Sequence, residues 1–214
     1  MVLLGFACAT PPAEPDPLLL EAIDWYTGAA GHVDNDRAHS LLEQAAEDDD
    51  PLSIMWMARV HSTGRMGFEQ DGSLARTLAS SVIDEIERAA EAGVVEAVFL
   101  MGTAYDEGLG KTEDPVQATA WHRRAAERDH LLGQHNLGNA YAAGKGVEQD
   151  PSAAVEWWTK SALRGDATTQ LRLGEAYEEG NGVEKDLNAA LGWYRRAAEA
   201  GNAQARAALE RLPS

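Results

Sequence analysis

Residues 173–201 read LGEAYEEGNGVEKDLNAALGWYRRAAEAG. Residues 137–165 (LGNAYAAGKGVEQDPSAAVEWWTKSALRG) and 101–129 (MGTAYDEGLGKTEDPVQATAWHRRAAERD) fall into the same register, 36 residues apart. Met101-Gly102, Leu137-Gly138 and Leu173-Gly174 superimpose. So do Tyr105, Tyr141 and Tyr177; Gly108, Gly144 and Gly180; and Gly110, Gly146 and Gly182. The match runs on through Asp114, Asp150 and Asp186, then Ala118, Ala154 and Ala190, Trp121, Trp157 and Trp193, and Ala126, Ala162 and Ala198. A period of this size marks a stacked array rather than a compact catalytic domain.

Each repeat has a physical reading. Leu137 and Tyr141 lie four apart, on one face of a helix. Gly138 beside them lets a neighbouring element approach closely, which outweighs a helix cost of about 1 kcal/mol. Gly144-Lys145-Gly146 stops the helix, because glycine accepts the left-handed conformation of a C-terminal cap. Asp150-Pro151 starts the next one: Asp accepts from free amides and Pro suits the first turn. Asp114-Pro115 repeats the device, with Gln117 at the capping-box position. The second helix is expected to bury Ala154, Trp157, Ser161 and Ala162 and to end at Gly165. The unit is helix, tight turn, loop, helix, turn.

The pattern weakens upstream. Trp25, Gly28, Asp34, Ala38 and Ala45-Ala46 stand where the third copy has Tyr105, Gly108, Asp114, Ala118 and Ala125-Ala126. Between them lies a copy lengthened by eight residues, with Met57-Ala58, His61 and Gly64 in its first helix and Val82, Glu85, Ala89-Ala90 and Gly93 in its second. The insertion is expected in a loop around Arg65 to Thr77. The division is 17–52, 53–96, 97–132, 133–168 and 169–204, with residues 205–214 as a capping helix over the last apolar edge.

Composition narrows the function. The chain carries 35 acidic and 18 basic side chains, a formal net charge of −17. Phosphate contacts need a basic face, so a nucleic-acid partner is disfavoured, as is an anionic membrane surface. The acidity either keeps the array soluble or suits a basic partner. A single cysteine, Cys8, excludes an internal disulfide. No apolar run is long enough for a transmembrane helix. Met1 to Ala9 is apolar, and Ala7-Cys8-Ala9 fits a small-x-small cleavage pattern, while Gly5-Phe6-Ala7-Cys8 loosely resembles a lipoprotein box. The segment reads either as the tail of an export signal or as a disordered end. Thr10 to Pro17 reads as a Pro-rich linker. A periplasmic or lipid-anchored location is expected, with the cytoplasm as the alternative.

Candidate chemistry largely dissolves into the repeat. Gly110-Lys111-Thr112 resembles the end of a phosphate loop, but Tyr105 stands where the leading glycine belongs and no strand precedes it. Asp34-Asn35-Asp36 resembles the start of a calcium loop, but His39 and Ala45 occupy its required Gly and Glu positions. The acid run Glu47 to Asp50 reads as a solvated turn, with Asp50 capping Pro51. No paired-histidine zinc motif and no Gly-x-Ser-x-Gly elbow occurs. No catalytic residue, metal or cofactor is expected. Trp157-Trp158 and Trp193-Tyr194 could suggest a sugar platform, although their first members are expected in the core. Trp158 differs from its register mates His122 and Tyr194.

The string Leu-Gly-x-x-Tyr-x-x-Gly-x-Gly-Val-x-x-Asp, then Ala-x-x-Trp-x-x-x-Ala-Ala-x-x-Gly, resembles the Sel-one-like repeat family, relatives of the tetratricopeptide repeats. Residues 173–201 follow it nearly throughout. Ser161 departs from it in one copy, and Met101, Lys111 and Asp129 in another. The resemblance implies an all-α, right-handed solenoid that serves as an adaptor or scaffold, often in bacterial envelope or signalling settings, and implies no activity. It also implies that the first helices line a concave, ligand-facing surface. Carried over position by position, that surface holds Met55, Arg59 and Ser62; Phe99, Thr103 and Asp106; His135, Asn139 and Ala142; and Leu171, Glu175 and Glu178. His135 and Asn139 share a face, and an exposed Asn139 would pair with a peptide backbone as both donor and acceptor. Phe99 and Leu171 would supply apolar contacts. The expected function is non-enzymatic binding of a protein or peptide. The other readings are an envelope enzyme or glycan binder, or a structural spacer.

Overall fold

The computed structural model describes residues 14–212. The expected signal remnant, the first half of the linker and the last two residues of the capping segment lie outside the described residues. Eleven α-helices follow one another, with no strand among the described residues: α1 (Pro17–Thr27), α2 (Asn35–Ala46), α3 (Pro51–Thr63), α4 (Gly72–Glu91), α5 (Val95–Glu107), α6 (Pro115–Ala126), α7 (Leu131–Ala143), α8 (Pro151–Leu163), α9 (Ala167–Glu179), α10 (Leu187–Glu199) and α11 (Ala203–Arg211). Successive helices pack on one another as in a solenoid. A short 3₁₀ turn, Arg65–Gly67, follows α3.

The periodic residues close each pair in the same way. Asp114 accepts from the amides of Val116 and Gln117, Asp150 from Ala153, and Asp186 from Asn188 and Ala189. The amides of these aspartates donate back to the carbonyls of Tyr105, Tyr141 and Tyr177, at 3.0, 2.9 and 3.0 Å. Asp34 repeats the bond to Trp25 O at 3.0 Å, and Asp71 to His61 O at 2.8 Å. Asp34 is thus a helix cap, as its register required. The turn that follows each second helix needs a left-handed residue, and Gly165 takes it with φ +101°. Asp129 and Asp49 occupy the same place with φ of 59° and 56°, a conformation that Asp tolerates better than most side chains. That explains both the Asp129 departure and the acid run, where Asp50 caps α3.

The insertion is a correction. His61 to Asp71 is only one residue longer than Tyr105 to Asp114, whereas α4 has 20 residues against 12 in α6. Most of the extra length therefore extends α4 by about two turns, not the loop.

The second helices also correct the expected core. Trp158 is 8% exposed and Tyr194 1%, while Trp121, Trp157 and Trp193 are only half-buried. The outer tryptophans carry a cation three residues on: Arg124 lies 3.9 Å over Trp121, Lys160 3.7 Å over Trp157 and Arg196 4.8 Å over Trp193. The second member of each pair goes inward because a glycine receives it. A Cβ on Gly102, Gly138 or Gly174 would sit 2.4 Å from the ring of His122, Trp158 or Tyr194.

The curvature brings the ends together. Val33 N donates to Ala200 O at 2.9 Å, and Gly28 and Gly165 meet across the gap. The inner helices consequently enclose a central cleft.

Candidate functional site

The inner surface is a chain of clefts. The central one, about 550 Å³, is lined by residues that include Tyr26, Arg59, Arg65, Asp106, His135, Asn136, Asn139, Asp166 and Gln204. A second, about 540 Å³, runs between α7 and α9 past Asn139, Ala142, Trp158, Arg172, Glu175 and Glu179. A third, about 580 Å³, lies between α9 and α11 and includes Leu171, Glu175, Glu178, Tyr194 and Arg211. Asn139 is shared by the first and second, Glu175 by the second and third.

Of the expected ligand-facing residues, Arg59, Asp106, His135, Asn139, Ala142, Leu171, Glu175 and Glu178 line these clefts. Met55 and Phe99 are fully buried and line none of the three. Phe99 is closed over by the His130 ring, stacked at 4.5 Å and 17°. Thr103 is 1% exposed, and its Oγ1 has no partner among the described residues. Leu171 is 4% exposed. Phe99 therefore supplies no open apolar contact, and Leu171 shows only an edge to the third cleft; close packing of successive copies turns these positions inward. Ser62 Oγ lies within hydrogen-bond reach of Glu107 and of the Arg59 carbonyl, which share its single proton, rather than standing free.

His135 and Asn139 share a face as expected, but they belong to a hydrogen-bonded chain. Trp158 Nε1–H donates to Asn139 Oδ1 at 3.0 Å. This fixes the amide so that Nδ2 donates to His135 Nε2, 2.9 Å away. His135 must then carry its proton on Nδ1, which faces Asp166 Oδ2 at 2.9 Å and Thr169 Oγ1 at 2.7 Å. Ser161 Oγ donates to the same carboxylate at 3.0 Å, and Asp166 Oδ1 accepts from the amides at the start of α9. Burial pushes the Asp166 carboxyl up, but His135, Thr169 and Ser161 outweigh it and hold it below its usual range. Ser161, a departure from the repeat, is thereby explained. Asn139 keeps one N–H and one lone pair for a ligand. A bare, exposed amide was expected; this one is half spent on structure.

A parallel chain lies one copy earlier. Trp56 Nε1–H donates to Glu96 Oε1 at 2.7 Å, and His130 Nε2 lies 2.9 Å from Glu96 Oε2. His130 Nδ1 accepts from Gly133 N at 3.0 Å, so Nε2 holds the proton that Glu96 receives. Burial raises the Glu96 carboxyl, and His130, Trp56 and Arg59 together bring it below the ordinary range. At the far end Tyr194 O–H donates to Glu178 at 2.7 Å, and Arg211 grips the same carboxylate with two nitrogens, at 2.6 and 2.8 Å.

Sequence reasoning missed one device that occurs twice. Gln134 Nε2 donates to Ala126 O, at 3.4 Å, and Gln170 Nε2 to Ala162 O, at 3.0 Å. Each glutamine ties the start of one copy to the end of the last. Their 36-residue spacing was the available signal. The phosphate-loop resemblance ends in an ion pair, Lys111 to Glu87 at 2.9 Å. Among the described residues no cluster of His, Cys, Asp and Glu is arranged to hold a metal, and no helix is long and apolar enough to cross a membrane.

The profile of the Sel1 repeat matches residues 26–50, 95–130, 131–166 and 167–202. The chain belongs to the Sel1 repeat family. A Sel1 repeat protein from Oxalobacter formigenes is 34% identical, with a TM-score of 0.60, over 85% of this chain and 50% of that one. The Escherichia coli protein c5321, a protective antigen of uropathogenic strains with an SLR fold, is 27% identical, with a TM-score of 0.59, over 90% and 47%. This chain thus spans about half the length of these two solved relatives. A Sel1 repeat protein from Klebsiella pneumoniae is 21% identical, with a TM-score of 0.50, over 91% and 90%, and shares the fold. No curated protein matches. Sel1 repeat proteins are in general non-enzymatic scaffolds for protein interactions.

Proposed function

We propose that this chain is a non-enzymatic scaffold that receives a protein or peptide along its inner helices. The observation that carries the reading is the continuity of the three clefts, joined at Asn139 and Glu175. An extended segment running along them would meet polar side chains throughout. Asn136, Asn139 and Gln204 offer amide donors and acceptors suited to a peptide backbone. At the α9 end Glu175, Glu178 and Glu179 gather beside Arg172 and Arg211. With a net charge of −17, this favours a partner that brings basic residues to that end. The glycan reading loses support, because the Trp158 ring covers Gly138 and its N–H is bound to Asn139.

A photo-crosslinking side chain placed separately at the exposed inner positions Glu179 and Gln204, and at the exposed outer positions Glu156 and Arg195, tests the proposal in extracts of the source organism. Discrete adducts from the inner positions, absent from the outer ones, are expected. Adducts of equal intensity from both faces would contradict it.

A further inference from the structure

Beneath the central cleft lies a cation without a counter-ion in contact. Arg59, on α3, is 5% exposed and lines that cleft. Its guanidinium lies over the rings of Trp56, at 4.5 Å, and Phe99, at 5.3 Å. Contact of a cation with ring faces does not satisfy its N–H groups, which still need hydrogen-bond acceptors. Nε and Nη1 have no hydrogen-bond partner among the described residues.

The surrounding carboxylates are engaged elsewhere. Glu107 holds Arg65 at 2.9 Å and Ser62. Glu96 is taken by Trp56 and His130, Asp106 by Lys145 at 2.6 Å, and Asp166 by His135 at 2.9 Å. Arg65 donates to the carbonyl of Arg59 at 3.1 Å, which brings a second positive charge close by. Burial, then Arg65, pull the Arg59 guanidinium below its ordinary range, and Glu107 and Glu96 only partly offset them. Desolvating an ion that makes no contact pair is costly, and an apolar side chain of equal length would fill the same space without that cost.

We propose that the central cleft takes the carboxylate of a short peptide, with Arg59 as the group that receives it. The inference rests on the peptide-binding reading above and names the chemistry recognised at this end. A cleft of about 550 Å³ suits a few residues rather than a folded domain. Asp106 and Asp166 line it too, so a singly charged carboxylate is favoured over a doubly charged phosphate. Guanidinium and carboxylate match in geometry, and the Trp56 and Phe99 rings already hold the ion beneath the cleft.

The test is a titration of the full chain followed through the Arg59 Nε–H signal in ¹⁵N NMR. The probes are trialanine as the free acid, trialanine amide and inorganic phosphate, at constant ionic strength. Saturable movement with the free acid is expected, with the amide and phosphate each weaker by about tenfold or more. Arg59→Met should fold with equal or higher thermal stability. The amide protons around the cleft, which move with the free acid in the native chain, should then stay still. No saturation by the free acid, equal binding of the amide, a preference for phosphate, or a response that survives in Arg59→Met would each overturn the proposal. Were Arg59→Met to unfold, the acid-against-amide comparison on the native chain still decides. Crosslinks at Glu179 and Gln204 that persist while this titration fails would sink the carboxylate claim alone and leave the scaffold reading standing.

Discussion

In copies three to five, the first helix carries a glycine and the second lays a ring over it: Gly102 under His122, Gly138 under Trp158, Gly174 under Tyr194. In copies one and two, the same two places hold Ala22 and Leu42, then Ala58 and Ile86, all fully buried or nearly so. A larger floor is matched by a smaller lid. One backbone register accepts two volume-matched pairs, as close packing requires. The difference also separates what is fixed from what is free. The loop closure from the Asp amide to a first-helix carbonyl (Trp25, His61, Tyr105, Tyr141, Tyr177) and the Asp cap recur in both halves, whereas the pair beneath them changes. The acidity follows the same divide: residues 1–96 hold 18 acids and 5 bases (−13), residues 97–214 hold 17 and 13 (−4).

The comparison breaks most severely at the second turn glycine. Gly146 has φ +70°, and a Cβ there would lie 1.9 Å from the carbonyl oxygen of Pro115 in the preceding copy. Backbone cannot yield as a side-chain tip does. Gly146→Ala should cost about 3 kcal/mol or more in chemical denaturation. A loss below about 1 kcal/mol would mean that the copies do not meet there.

Gly138→Ala should cost about 2 kcal/mol, since the new methyl would strike the Trp158 ring. Adding Trp158→Leu rebuilds the pair used by copy one. The double variant should therefore be more stable than the sum of the two single losses, by about 1 kcal/mol. Simple additivity would refute the pairing.

Acid sensitivity sharpens the comparison, because among the three ring lids only His122, in copy three, takes up a proton below neutrality. Burial, acting with Arg59 and against Asp106, lowers His122 from 6.5 to about 3. The unfolded chain therefore binds a proton between those values that the folded chain refuses, and stability falls as pH falls through that window. His122→Phe should flatten the decline, gaining about 2 kcal/mol relative to the native chain at pH 5 compared with pH 7. Parallel stability curves for the two proteins would place the proton uptake elsewhere, Glu96 and Asp166 being the carboxyls held below their usual range in the same region.

The mildest test is Gly192, a helical glycine in α10 with open space where a Cβ would go. Gly192→Ala should raise stability by about 0.5–1 kcal/mol. A loss would show that something packs there.

Helix pairs, caps and turns were legible because a 36-residue recurrence of Gly and Asp is local chemistry written repeatedly. Which member of Trp157-Trp158 faces inward was not, since both share the period and only the ring's fit over Gly138 decides. Periodicity located the extra eight residues but could not say that α4 absorbs them. The family register places twelve side chains on the inner face, three from each of copies two to five. Met55 and Phe99 are lost to it because other side chains pack over them, as the His130 ring does over Phe99. The contact of Val33 with Ala200 belongs to no repeat, so no period announces it. His135 and Asn139 were found, but their partners lie 31 and 19 residues away, at Asp166 and Trp158. Substituting Asn139 therefore tests structure before it tests binding.

The claim that the inner face is a built network, and not a row of solvated side chains, rests most directly on His135. Its imidazole ¹⁵N spectrum should show a protonated Nδ1 and a bare Nε2, with the Nδ1 proton protected from exchange, and Asn139→Ala should abolish that protection. A freely exchanging ring, or a proton on Nε2, would contradict the chain from Trp158 to Asp166.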